Sequence, residues 1–359
     1  RKKADDDAEH DGTDLIVRYL WNGTEELLGS VQHFAFNKTG TMLAYTVDAA
    51  DNNGNGLHVI DLYSGVRMPL DNAREDYARL SWSEDGSALA VMRGSKPEGM
   101  DERANVLVAF PDMSHEDGPQ KVTFDPGARD DFPADHVLSE RGGVHWNDDA
   151  TKLFFGIKEQ VPEPEKTEEP IADVNVFHWN DDRIQSVQKA QAERDKNHTH
   201  LSVLNLDTDR FVQLGTERLR RFELADDGRY AVGHDYTDYV SDWEPRYADI
   251  YRIDTATGDS VPIVEQQLRT YGLSPDGTSF LYWDEGKMAR ADLSTTAGLL
   301  EDCESGAPCP GEHVSARWVV QEEALSFVNE QWDYFGEKPA YGVAGWTTDG
   351  RVILNHRYD

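Results

Sequence analysis

The residues best suited to chemistry lie in two short segments. Tyr236, Asp238, Tyr239, Asp242, Trp243, Glu244, Arg246 and Tyr247 make a stretch unusually aromatic and charged for a connection between strands. Aromatic faces offer flat apolar contact, carboxylates suit an ammonium, and a guanidinium suits a carboxylate or a carbonyl. Those are the requirements of a surface that holds a peptide, so Tyr239, Asp242, Trp243, Glu244 and Arg246 are candidate binding residues. The segment from Gln331 to Glu337 adds Trp332 and Tyr334 to the same class. For both segments the competing reading is packing between neighbouring elements.

Metal, redox and acid–base chemistry find less support. Asp51-Asn52-Asn53-Gly54-Asn55-Gly56 matches the first half of a calcium-binding EF-hand loop, but Leu62 stands where a bidentate Glu is required. The segment reads better as an Asn-Gly turn between two strands. His198 and His200 place two imidazoles on one face of a strand entry, a metal site only if a third ligand converges from elsewhere. Asp148-Asp149, Asp181-Asp182 and Asp226-Asp227 sit in or beside turns, where Asp serves local backbone hydrogen bonds, so they receive no acid–base role. Catalytic and metal-ligating residues are therefore not assigned, and no cofactor is expected. The two cysteines, Cys303 and Cys309, are spaced to close one small loop, which would contribute roughly 2 kcal/mol and favour a periplasmic or extracellular location. Two unpaired thiols on a surface loop are the alternative.

Composition bounds the partners. The chain has 359 residues with 35 Lys+Arg against 68 Asp+Glu, a net charge of −33. Such a field repels phosphate backbones and anionic lipid, so neither nucleic acid nor a membrane surface is an expected partner. No run approaches the roughly 18–20 apolar residues of a membrane-spanning helix. With 9 Trp, 14 Tyr and 13 Phe the chain has ample core-forming material, which excludes disorder of the whole. Arg outnumbers Lys about two to one, and an acid-rich, Lys-poor surface suits salty surroundings.

The elements that must position the candidate residues are written as a repeat. One phrase, an apolar strand start, a polar Asp-Gly turn and then alternating apolar residues, occurs six times. The copies are FNKTGTMLAY from Phe36, WSEDGSALAVM from Trp82, WNDDATKLFFG from Trp146, LADDGRYAVG from Leu224, SPDGTSFLYW from Ser274 and WTTDGRVILNH from Trp346. Gly40, Gly86, Gly228, Gly277 and Gly350 suit the positive φ of a tight turn, and Ala150 is the exception. A second pair of period-two strands follows most copies, starting at Asn55, Ala104, Thr199, Tyr247 and, more weakly, Lys287. Units of about four short antiparallel strands every 40–50 residues, with variable loops, predict an all-β chain over 1–359 built as a β-propeller of four-stranded blades. A β-sandwich is the runner-up.

Two insertions interrupt the third blade across 161–197. The Glu- and Pro-rich segment from Val161 to Val174 predicts a solvated connection. The segment from Asp181 to Asn197 predicts a short helix that starts near Asp181 or Asp182 and turns Ile184 and Val187 inward. The sixth copy reaches Asp359 after its first hairpin, so the last blade is expected to be completed by chain beyond Asp359 or by a partner.

Three longer segments carry a resemblance: FHWNDDRIQSVQKAQAERD, SDWEPRYADIYRIDTATG from Ser241, and EKPAYGVAGWTTDGRVILNHRYD from Glu337. With the repeats, they resemble the N-terminal propeller of bacterial serine peptidases of the prolyl oligopeptidase family, the dipeptidyl and acylaminoacyl peptidase type. The resemblance implies a following α/β-hydrolase domain that supplies the Ser, Asp and His of catalysis. The 359 residues contain no G-x-S-x-G elbow, so that chemistry lies outside them. What it implies for this chain is to gate access and contact peptide substrates. The alternative is a free-standing TolB-like interaction propeller. A third possibility, a propeller hydrolase or lyase with its own site, lacks a metal cluster or carboxylate pair.

Overall fold

The repeated phrase folds the same way each time. The amide of its turn residue donates to the carbonyl three residues earlier in all six copies: Gly40 to Asn37, Gly86 to Ser83, Ala150 to Asn147, Gly228 to Ala225, Gly277 to Ser274 and Gly350 to Thr347. Ala150 adopts the left-handed conformation of the glycines, with φ of 54°. For a residue with a Cβ this costs roughly 1 kcal/mol, an expense the neighbouring Asn147 offsets by accepting from the amides of Thr151 and Lys152.

The computed structural model describes residues 10–163, 178, 181, 183–284, 286–297, 313–319, 327–334, 336–347 and 349–355. Two units are present: Arg1–Ile171 with Asn197–Phe211, and Ala172–Lys196 with Val212–Asp359. Three sheets begin in the first. One runs β1 (Thr13–Arg18), β2 (Glu25–Phe36), β3 (Met42–Val47), β4 (Gly56–Asp61) and β5 (Arg67–Asn72) in order. The next runs β6 (Asp76–Trp82), β7 (Leu89–Ser95), β8 (Ala104–Phe110) and β9 (Val122–Phe124). In the third, β10 (His136–Leu138) and β11 (Val144–Trp146) both pair with β12 (Lys152–Glu159). The helix α1 (Gln185–Lys196) follows in sequence, before β13 (His200–Asn205) and β14 (Arg210–Gln213) complete that sheet.

In the second unit, β15 (Leu219–Leu224), β16 (Tyr230–Asp235), β17 (Ala248–Asp254) and β18 (Ser260–Gln267) form one four-stranded sheet. Another comprises β19 (Thr270–Leu273), β20 (Ser279–Asp284), β21 (Lys287–Ala297) and β22 (His313–Trp318). The sixth copy supplies the pair β23 (Val343–Trp346) and β24 (Val352–Leu354). The pairings are antiparallel throughout, and the chain is an all-β propeller of mostly four-stranded blades. The helix of the insertion accompanies them. No helix among the described residues is long and apolar enough to cross a membrane.

Stacking of one sheet on the next explains the continuous apolar runs. In β7, Leu89 and Val91 face Val59 and Val108, whereas Ala90 and Met92 face Leu107 and Phe155 in a second core. In β20, Phe280 and Tyr282 join the core with Val232 and Ile250, while Leu281 and Trp283 meet Trp346 and Leu354. A strand with a neighbouring sheet on each side buries both faces, so period-two alternation disappears where burial is greatest.

Two expectations need correction. The first and third sheets have five strands instead of four, because the β1 hairpin adds a strand and the initial strand of the third sheet is split into β10 and β11. The helix begins at Gln185, buries no residue, and leaves Ile184 just before it 48% exposed. Ile184 therefore does not turn inward, and Val187 is only half-buried. Of the twelve helical residues only Val187, Ala190 and Ala192 are apolar, too few for an apolar stripe. Asp182 lies outside the described residues.

The turn acids make acid stability predictable. Asp85 accepts from Ser83 Oγ and from the amide and hydroxyl of Ser87; Asp276 accepts from Ser274 Oγ and from the amide and hydroxyl of Thr278. These donors, the Ser83 and Ser274 hydroxyls first, hold both carboxyls below their ordinary value of 3.8. A depressed carboxyl favours the fold above its unfolded value and loses that contribution as pH falls through the folded one. Urea unfolding followed from pH 5 to 2.5 is expected to show declining stability below about pH 4. In the D85N/D276N double variant that decline should be shallower.

Candidate functional site

The strand that leads into the repeated turn breaks its regular pairing in sheet after sheet. Register shifts interrupt β2 between Val31 and Phe34, β6 between Ala78 and Ser81, β15 between Leu219 and Arg221, and β19 between Thr270 and Gly272. In the third sheet the break is complete and separates β10 from β11. A bulge leaves extra residues unpaired and redirects their side chains. In the first unit, the residues so released, together with the connection from β7 to β8, line a cavity of about 690 Å³.

Four cations and three carboxylates share that lining, in a chain where acids outnumber bases nearly two to one. Arg103 binds Asp76 at 2.9 Å and Glu140 at 2.6 Å. The Glu102 side chain, 6% exposed, accepts from Lys158 Nζ at 2.8 Å and Ser139 Oγ at 3.0 Å, with Arg141 at 3.6 Å. Gln160 fixes the Glu102 backbone from both sides, accepting from its amide and donating to its carbonyl. Lys96 pairs with Glu163 at 3.4 Å. Arg79 holds a φ of 57° in the β6 bulge and donates through Nε to the Glu140 carbonyl. Burial raises the Asp76 carboxyl above its ordinary value, with Arg103 opposing the shift. His33 and Phe34 on β2, with Leu80 on β6, complete the wall.

Sequence reasoning missed this cavity, although a signal exists. His33 and Arg79 each precede their turn glycine, Gly40 and Gly86, by seven residues, as Arg221 precedes Gly228. In the first two copies that position falls within the break of the ladder, whereas Arg221 keeps its pairing with His234.

The residues expected from sequence lie in the second unit. Tyr239 is half-buried and donates its hydroxyl to Asp249 at 2.6 Å. Its ring meets Tyr247 edge-on, and hydrogen bonding to Asp249 raises its hydroxyl to about 12. Asp242 is exposed and accepts from the Ile184 amide at 2.7 Å, while Asp195 of α1 lies 3.3 Å from Arg220. Asp242 is therefore engaged in tethering the helical insertion. Trp243 is 87% exposed, between exposed Asp242 and Glu244. Arg246 stacks over Tyr236 at 4.2 Å. Arg218 braces the start of the segment through Asp235 and Asp238. Elsewhere, Trp332 packs under Arg269 at 4.8 Å and against Tyr334 at 5.0 Å, and Tyr334 is 75% exposed. Each aromatic segment is thus held by its own contacts and leaves one large ring mostly exposed, Trp243 in one and Tyr334 in the other.

His198 and His200 do adjoin, with centroids 5.3 Å apart, and His136 lies 6.2 Å from His200. Among the described residues no group of three or more His, Cys, Asp or Glu is arranged to hold a metal ion. Asp51 and Asn52 take positive φ in the connection from β3 to β4, as a turn requires. Cys303 and Cys309 lie outside the described residues.

No family model and no curated protein sequence matches the chain. Among solved structures it is similar to TolB from Acinetobacter baumannii, with 12% identity over 78% of this chain, a TM-score of 0.30, and 57% of TolB covered. It is also similar to the propeller domain of the trilobed protease from Pyrococcus furiosus, with 14% identity over 77% of this chain and 73% of that one, and a TM-score of 0.35. The acylaminoacyl peptidase of Pyrococcus horikoshii aligns at 11% identity over 77% of this chain but only 39% of its own, with a TM-score of 0.34. By its own sheets the chain is a β-propeller, and the solved structures similar to it include peptidases beside TolB.

Proposed function

We propose that this propeller is the non-catalytic portion of a serine peptidase, limiting access to, and holding peptide for, an α/β-hydrolase domain outside these residues. The supporting observation is the segment from Tyr236 to Tyr247, which presents an exposed Trp243 between two exposed carboxylates and beside Arg246. Contacts from Arg218, Asp249 and the Ile184 amide hold the segment in place, so its ordering is not charged to peptide binding. The resemblance carried by the three long sequence segments points the same way. The proposal includes a periplasmic or extracellular location and a bond between Cys303 and Cys309.

The test uses natively purified protein. Intact mass well above 40.5 kDa, labelling by a serine-reactive fluorophosphonate, and a roughly tenfold loss of peptide affinity in Trp243→Ala are the expected results. A labelled protein whose peptide affinity ignores Trp243 would remove this segment from the site. An unlabelled protein of about the mass of this chain would instead favour a free-standing interaction propeller, with a partner completing the last blade.

A further inference from the structure

The cavity of the first unit contains a cation without an anion. Arg103, Arg141 and Lys96 each have a carboxylate within 4 Å, but among the described residues Arg79 has none, and its Nε donates to a neutral carbonyl, that of Glu140. Its left-handed backbone is the second observation. A non-glycine residue held at φ of 57° persists only where its surroundings enforce it, and such outliers gather at binding sites. The bulge that imposes this conformation also lifts the guanidinium out of the β6 ladder and into the lining.

The neighbours narrow the ligand. A planar guanidinium matches a carboxylate in a two-pronged pair. Glu102 and Glu140 in the same wall repel a dianion such as phosphate more strongly than a carboxylate monoanion. Phe34, 54% exposed, and Leu80 offer apolar surface beside the charge, where a side chain next to that carboxylate would rest. A volume of about 690 Å³ admits more than one amino-acid residue.

We infer that this cavity binds a carboxylate, with Arg79 as its anchor, and that the carboxylate is the C-terminus of a short peptide. The peptide identity rests on the function proposed above; the carboxylate chemistry does not.

Calorimetric titration of the full chain with Ala-Ala-Phe, its C-terminal amide and N-acetylphenylalanine tests both parts. The free acid should bind at least tenfold more tightly than the amide, and Arg79→Gly should abolish that preference. Glycine takes positive φ without strain, so this variant removes the guanidinium while keeping the bulge. Arg79→Gln, with its fold checked by circular dichroism, should lose the preference in the same way. Equal binding of N-acetylphenylalanine and the tripeptide would keep the carboxylate site but overturn the peptide as its source. Equal affinity for acid and amide, unchanged binding in both variants, or no binding at millimolar concentration would overturn the inference. If peptide binding persists and depends on Trp243 but not on Arg79, only this inference fails. If it depends on Arg79 and not on Trp243, the cavity stands and the aromatic segment falls.

Discussion

Replacing Phe124 with Ala is expected to lower the stability of the first unit by about 3–5 kcal/mol. Phe124 ends β9, is 2% exposed, and sits at the centre of an aromatic group. Its ring lies 6.0 Å from Phe132, 5.8 Å from Phe155 and 5.8 Å from Phe211, with the Arg129 guanidinium 5.1 Å above it. Truncation removes the transfer free energy of the ring and leaves a cavity that three large neighbours cannot close without leaving their rotamers. It also removes edge and stacking contacts that are worth more than area alone. Phe124→Leu keeps most of the volume and should cost well under half as much. Urea unfolding followed by Trp fluorescence measures both. A loss below about 1 kcal/mol for the Ala variant would show that this part of the core relaxes freely.

Asp71→Ala should be nearly as damaging, at about 3 kcal/mol or slightly more. The Asp71 side chain is 3% exposed and gathers three donors: Tyr77 Oη at 2.7 Å, Arg93 Nη1 at 2.9 Å and Lys121 Nζ at 3.1 Å. Burial and the adjoining carboxylate push the Tyr77 hydroxyl far above its ordinary value. Removing Asp71 leaves the Arg93 guanidinium, 22% exposed, with Glu75 at 3.2 Å as its remaining carboxylate among the described residues, and takes from the Tyr77 hydroxyl its carboxylate acceptor. A partly buried charge deprived of its partner costs far more than the intact pair contributes. Lys121 is 45% exposed and regains water, which keeps the cost at the lower end of the range. A double-mutant cycle with Arg93→Met separates the two contributions. If Asp71→Ala cost the same in both backgrounds, the Arg93 pairing would contribute nothing.

Much of the architecture was legible in the order of residues alone. The six turns were visible because a tight turn demands a residue able to take positive φ at one place, and five glycines stand there. Ala150 broke the pattern in sequence but not in structure, since Asn147 on the same turn accepts from two amides that follow it. The helix from Gln185 to Lys196 was legible from its lack of Gly and Pro. Its orientation was not, because the contacts that tether it, Asp242 to Ile184 and Arg220 to Asp195, join residues 58 and 25 positions apart.

The aromatic and charged segment could be named from its composition, yet the division of labour within it could not. Asp242 and Trp243 are neighbours in sequence, and only packing decided that the first tethers a helix while the second stays in solvent. The cavity was hidden more deeply. His33, Arg79, Arg103 and Arg141 come from separate repeats or from connections between strands, and none is unusual for an acidic surface. They converge because β2 and β6 each break their ladder a few residues before the turn, a property of backbone pairing that hydrophobic periodicity does not report. Turns, strands and the propeller were therefore determined locally by the sequence. Which charged residues face one another was decided by tertiary structure, because stacking sheets brings together positions that local preference never compares.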